Sequence, residues 1–292
     1  MRNLDRERVE KLILFIEEVF DYCREYKFNR PEATERDVAS FILITDMIEI
    51  ARSVCILYDN KSRIGIESLL RMMIEKFLFL KLIFSNSKYA TSFILSFQIH
   101  NLDLIQKVEN GDEFALSFAS KLNIELDQLQ EKTKQRFSNI NDKEKRDFLL
   151  HSYKECFEFE IKDRKLTIQL WYNLDGHIPN IYELSKKVGE VDLYQTLYKS
   201  FSSEVHSTSL NRSFNFVSSN KKSILGYLSK ESFNSLKSND ELLTFLSTFL
   251  IDIYKLLKER YYFKSRFEKK IIEIIGETIS PNNLLRHFGR KA

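Results

Sequence analysis

A chain of 292 residues is long enough to bury a real core as one large or two ordinary domains. Only 7 glycines and 3 prolines interrupt it, against 43% apolar and 13% aromatic residues, which excludes wholesale disorder and argues for an all-α protein. The net charge of +3 is unremarkable as a total, but 10 Lys/Arg against 4 Asp/Glu fall between Lys255 and Ala292, so the basic surplus is C-terminal.

Val9, Leu12, Ile13, Ile16, Val19, Phe20 and Cys23 recur at helical spacing over 4–28, and Pro31 marks the stop. Thr34 with Asp37 reads as a capped start to a second helix that runs to about Leu57. A third is expected over 62–84 and a fourth over 88–108, before Asn110-Gly111. Shorter, charged periodicities over 112–165 predict an insertion of small helices. LWYNLDGHIPN (170–180) carries turn residues throughout. Helices resume over 181–189, with Gly189 as C-cap, and over 190–206. A Ser/Asn-rich connection (207–223) and a long helix from about 239 to 260, continuing into the basic tail, complete the pass. The expected architecture is a multi-helix bundle core over 1–238 with the 112–165 insertion, and a C-terminal helix and basic tail over 239–292 packed on it.

Cys23, Cys55 and Cys156 are odd in number and lack CxxC spacing, so neither a disulfide framework nor a zinc site is indicated; small buried hydrophobes in a reducing compartment are expected. The N-terminus MRNLDRERVEKL is charged where a signal peptide needs an apolar run. The most apolar windows either contain Asp46, Glu49 and Arg52 (38–58) or fall short of the ~20 residues of a membrane span (242–257). A soluble cytoplasmic protein without a membrane partner is the expectation.

Two helices attract attention for chemistry. IGIESLLRMMIEKFLFLKLIF (64–84) is apolar around nearly its whole circumference, the pattern of a helix buried on all sides. Glu67, Arg71 and Glu75 are set into it at i, i+4, i+8. Burying charges costs several kcal/mol per ion unless they are paired, so they form either an internal ion-pair network or an arginine aimed at a phosphate or carboxylate. LYQTLYKSFSSEVHSTS (193–209) splits at 100° per residue into an apolar file, Leu193, Leu197, Phe201 and Val205, and a hydroxyl file, Tyr194, Tyr198, Ser202, ending in His206. Lys199 and Ser203 flank that file. A lone histidine beside apolar neighbours is more often a core residue than a catalyst. The surrounding polar groups favour a face that is not dry, where an imidazole can shuttle protons.

The other histidines are weaker candidates. His100 and His151 have no partner at metal-ligand spacing, His177 sits in the Asp175-Gly176 turn, and no HExxH, GxGxxG, GxxxxGK[ST] or nucleophile elbow occurs. In ERYYFKSRFEKKIIEIIG (259–276), aromatics interleave with Lys264, Arg266, Lys269 and Lys270. The pattern suits a nucleic-acid strand, though an amphipathic helix with a solvated basic face explains the same letters more simply.

The ordered pieces LLRMMIEKFLFLKLIF, YATSFILSFQIHNLDLI, Trp171 and NIYELSKKVGEVDLYQTLYKSFSSEVHSTS resemble the bacterial domain-of-unknown-function family 5677 over about residues 40–215. Its R-x-x-x-E corresponds to Arg71 and Glu75, and its Y-x-x-x-S-x-x-x-H to Tyr198, Ser202 and His206. That family resembles the HEPN superfamily of helical bundles, frequent in toxin–antitoxin and anti-phage systems. Many of its members are metal-independent ribonucleases that dimerise around an Arg-x4–6-His pair. In this chain Lys199 stands six intervening positions before His206 where arginine would be expected, and Arg71 from the third helix is the arginine that could replace it in space.

The resemblance implies a HEPN-like core. It also implies a metal-independent endoribonuclease-type effector with no cofactor, acting on RNA through Arg71, Glu75, Lys199, Tyr198, Ser202 and His206. The implied partners are a second copy of the chain or a protein from the same operon. The competing expectation is a non-catalytic helical interaction module in which the same residues lock the core.

Overall fold

The computed structural model describes residues 6–28, 33–60, 62–109, 111–113, 117, 142–162, 169–205, 214–219, 222–227, 240–261, 263 and 266–276. Helices carry the architecture. In chain order they are α1 (Arg6–Phe28), α2 (Glu35–Asp59), α3 (Arg63–Ser85), α4 (Ser87–Glu109), α5 (Asp142–Glu155), α6 (Ile181–Lys187), α7 (Val191–Leu193), a π-helical turn over Tyr194–Tyr198, α8 (Lys199–Val205), α9 (Asp240–Tyr261) and α10 (Arg266–Gly276). The chain divides into two compact units, one formed by Met1–Phe84 with Ser185–Ala292 and the other by Ser85–Leu184.

In the first unit α1 packs against α2, α9 and α10. Its buried stripe, Val9, Leu12, Ile16 and Val19, has the spacing that turns one helix face inward, and Leu242, Leu246, Leu250, Ile253 and Leu257 form the corresponding stripe of α9. Burying each such side chain contributes roughly 1.5–3 kcal/mol. The start of α2 is fastened by the expected capping box: the Asp37 amide donates to Thr34 Oγ1 at 3.3 Å, and the Thr34 amide donates to Asp37 Oδ2 at 3.0 Å. Asp37 is itself buried and accepts from the Tyr261 hydroxyl at 3.0 Å, which ties the start of α2 to the end of α9. Burial pushes the Asp37 carboxyl up, but the Thr34 amide and hydroxyl, Tyr261 and the charge of Lys27 outweigh it, so it lies below its ordinary value.

The turn from α2 to α3 is tight. A Cβ on Gly65 would lie 2.8 Å from Leu57 Cδ1, so a larger residue here would require the Leu57 side chain to shift. Further along, Lys76 reaches back to Asp46 at 2.5 Å.

The second unit is built on α4, α5 and the segment that follows them. Arg146 donates to Asp103 Oδ1 through Nε at 3.1 Å and Nη2 at 3.0 Å, pairing α5 with α4. Ser92 Oγ donates to the Trp171 carbonyl at 2.7 Å and the Tyr153 hydroxyl donates to the Gln169 carbonyl at 3.0 Å, which holds the loop at 169–171 on α4 and α5. Asn173 accepts from the Ile178 amide at 2.7 Å and shapes the expected turn region. α6 ends in a Schellman motif. Gly189 takes φ 75°, its amide donates to Lys186, and the Glu190 amide donates to the Ser185 carbonyl at 2.7 Å.

One expectation needs correction. The connection read over 207–223 contains a strand: Phe214–Ser219 pairs antiparallel with Lys222–Tyr227, Ser219 opposite Lys222. Alternation in FNFVSS is short and its serines and asparagines masked it; this hairpin is the β structure among the described residues. The long helix expected over about 239–260 is α9, which ends at Tyr261, and a separate helix, α10, begins at Arg266 in the basic segment. Most of the 112–165 insertion lies outside the described residues, apart from α5 and its surroundings. All three cysteines are buried and free. Among the described residues no helix is long and apolar enough to cross a membrane.

Candidate functional site

α3 brings the first two site residues. It is not buried on all sides: Met72 is exposed, and Arg71, Glu75 and Phe79 are half-buried, so an accessible stripe runs along an otherwise apolar helix. Glu67, one turn before Arg71, is 1% exposed and belongs to the interior. Arg71 and Glu75 retain 22% and 28% side-chain exposure, and Arg71 Nε lies 3.3 Å from Glu75 Oε1. The pair sits at the rim of the core.

The third residue comes from the π-turn, 127 positions away. The Lys199 amide donates to the Tyr194 carbonyl, five residues back, so one residue more than an α-helix accommodates is held between α7 and α8. That extra residue rotates the faces. An unbroken α-helix would put Leu193, Leu197 and Phe201 in the core with the tyrosines beside them. Instead Tyr198 and Phe201 are buried while Leu193 and Leu197 are half-buried.

Tyr198 then closes a three-membered cluster. Its hydroxyl donates to Glu75 Oε1 at 2.7 Å and accepts from Arg71 Nη2 at 3.3 Å. The Arg71 guanidinium carbon lies 5.2 Å from the centre of the Tyr198 ring, and the Tyr194 ring stacks on the other aromatic at 5.0 Å with 19° between planes. A second tie holds the same elements: Lys81 Nζ donates to Glu190, the residue that precedes α7.

Electrostatics assign the roles. Burial, then the hydrogen bond to Glu75 and its charge, push the Tyr198 phenol up to about 12, against the opposing pull of Arg71. Tyr198 is therefore a protonated donor at neutral pH, not a base. Burial works against the Arg71 charge, but the Tyr198 hydroxyl and Glu75 outweigh it and raise the guanidinium further. The result is a fixed cation whose Nε and one Nη2 hydrogen are engaged, while the remaining donors of the fork and its exposed edge can meet an anion.

Of the expected site residues, the structure brings Arg71, Glu75 and Tyr198 together. Lys199 is exposed and Ser202 half-buried on the turns that follow. His206 lies outside the described residues, as does Lys264; Arg266 starts α10, but its side chain is not described. Lys269 and Lys270 are exposed, and Lys270 pairs with Glu18 of α1. Tyr261, Phe263 and Phe267, the rings expected to alternate with these cations, are buried; Phe267 packs edge-on against Tyr22 at 5.5 Å. They serve the core and are not presented for stacking on bases. Among the described residues no three His, Cys, Asp or Glu side chains gather as a metal site.

The π-turn, the Tyr194 stack and the Lys81–Glu190 tie escaped sequence reasoning. No glycine or proline marks the extra residue, and partners 109 positions apart leave no local signal.

A family model described as a family of unknown function, DUF5677, matches residues 37–224, a span that includes both α3 and the π-turn. No curated protein and no solved structure matches the chain.

Proposed function

This chain belongs to the family of unknown function DUF5677, and from the geometry of its α3 and π-turn we propose that it is an endoribonuclease-type effector of a bacterial defence or toxin system. The observation that carries the proposal is Arg71, a half-buried guanidinium clamped by Glu75 and Tyr198 and still reachable from solvent. Oriented cations of this kind stabilise the charge that develops on phosphorus during phosphoryl transfer. In this reading Arg71 and Lys199 grip the scissile phosphate. His206, eight residues after Tyr198 in the sequence, takes the proton of a ribose 2′-hydroxyl as it attacks phosphorus, or returns one to the departing 5′-oxygen. Glu75 and Tyr198 are positioning residues: they hold Arg71 and do not touch the substrate. Ser202 orients the imidazole. A second copy of the chain, or a partner protein from the same operon, would complete or restrain the site.

Expression in bacteria should arrest growth and fragment cellular RNA, leaving 2′,3′-cyclic phosphate ends, and cleavage by purified protein should survive EDTA. Arg71→Ala and His206→Ala should each abolish fragmentation, by about a hundredfold or more, while remaining folded. Folded variants as toxic as the parent, or a parent that never cleaves RNA, would overturn the proposal.

One observation favours a second reading. The Arg71–Glu75–Tyr198 cluster closes on itself and is reinforced by Lys81–Glu190, as a purely structural lock between α3 and the π-turn would be. An interaction module built this way would lose melting temperature in Arg71→Ala and keep partner binding in proportion to folded protein.

A further inference from the structure

The second unit has an opening of its own. A cleft of about 540 Å³ is lined by Phe93 and Phe97 of α4, Trp171 from the loop held against it, and the polar side chains of His100, Asn101 and Gln169. The volume is within the range of small-molecule sites. Its walls are π surfaces. Phe93 and Trp171 meet edge to face at 5.1 Å, and Phe97, 53% exposed, adds a ring at the mouth.

The polar groups have a definite sense. His100 Nδ1 lies 2.9 Å from the Ser96 carbonyl, one turn earlier on α4. A carbonyl oxygen only accepts, so Nδ1 carries a proton, and Nε2 is the ring nitrogen that remains for a ligand. Asn101 and Gln169 each offer a carboxamide, a donor beside an acceptor. No Asp, Glu, Lys or Arg is among the described residues lining the cleft. Aromatic faces recommend a flat ring, and an imidazole nitrogen with two carboxamides recommends a ring with its own donors and acceptors along an edge.

We propose that this cleft binds the heteroaromatic ring of a nucleobase, stacked on Phe97 and Trp171 and met along its edge by His100 and the two carboxamides. Unpaired bases are recognised by this combination of aromatic stacking and edge hydrogen bonds. The ring could arrive on a free nucleoside or as an unpaired nucleotide of an RNA strand, and the proposal does not depend on RNA cleavage.

Trp171 is the single tryptophan of the chain, so its fluorescence reports on the cleft alone. The intact protein, excited at the red edge of tryptophan absorption, is titrated with adenosine, cytidine, uridine and short single-stranded oligoribonucleotides. A saturable change with at least one of them is expected at about 1 mM or below. Phe97→Ala and His100→Leu, both at exposed positions, should keep the melting temperature and weaken binding about tenfold. An oligonucleotide that binds tighter than its nucleoside assigns the ring to a strand, and equal affinity assigns it to a free nucleoside; either supports the proposal. No saturable change with any probe, unchanged affinity in both variants, or equal binding of p-cresol that ignores His100→Leu would overturn it. Fluorescence binding and RNA fragmentation are separate readouts, so this proposal and the cleavage proposal can fail independently.

Discussion

Tyr198 shows what one side chain does in this molecule. Removing its hydroxyl takes one donor from Glu75 and one acceptor from Arg71, leaving the Arg71–Glu75 pair to itself, while preserving the ring over the guanidinium and against Tyr194. Tyr198→Phe is therefore expected to cost about 1–3 kcal/mol, a thermal midpoint lowered by roughly 2–8 °C. Its pH dependence has a definite sign. The phenol sits at about 12 in the folded chain, above the ordinary value of about 10, so the folded state holds this proton more tightly than the unfolded state. The stabilisation is complete below about pH 10 and is lost as pH rises toward 12. Urea melts of the parent and of Tyr198→Phe should give a stability difference that is constant from neutral pH to about 10 and shrinks above it. A difference that grows with pH would contradict the assignment of the Glu75 hydrogen bond.

At the level of elements, the π-turn sets the relation between two tie points. Glu190 meets Lys81 before the turn, and Tyr198 meets Arg71 and Glu75 at its end. Deleting Gln195, an exposed residue within the turn, should let α7 and α8 fuse into one regular helix. The segments on either side then rotate about 100° relative to one another, and only one tie can survive. Circular dichroism should report unchanged helicity. The deletion should lower stability by about 1–3 kcal/mol, against a few tenths for Gln195→Ala. A deletion as stable as the parent would show that the turn carries no positional duty. The expected helices themselves were legible because their periods and punctuation are local: the Thr34–Asp37 capping box and the Gly189 C-cap are each written within a few residues. The Gly189 position demands positive φ, which glycine alone adopts without strain. The hairpin over 214–227 was missed because its strands are six residues each, too short for alternation to stand out among serines and asparagines.

For the molecule as a whole, the C-terminal charge excess and the C-terminal aromatics have separate fates. Phe263, Phe267, Ile271 and Ile275 are buried, Phe263 and Phe267 pack with Phe15, Tyr22 and Tyr254, and Lys269 and Lys270 remain outside. Truncation after Tyr261 is thus expected to remove several kcal/mol of burial and to destabilise the first unit, whatever the tail binds. Lys269→Glu is the cleaner probe of the basic surface. If that surface holds nucleic acid, the substitution should weaken binding without regard to sequence and flatten the salt dependence by about one charge contact, with melting unchanged. Identical salt slopes would leave the basic surface simply solvated.

What the amino-acid order determined unaided was the helical class, the places where most helices begin and end, and the pairing of Arg71 with Glu75, all set by interactions within about one turn of chain. What the tertiary structure decided was the face each residue presents and the partner it meets. The accessible stripe of α3, the extra residue that turns Tyr198 inward and the aromatic cleft around Trp171 depend on segments tens to more than a hundred positions apart. A helical period predicts which residues share a side. Which side is covered, and by what, follows only once the other elements have packed against it.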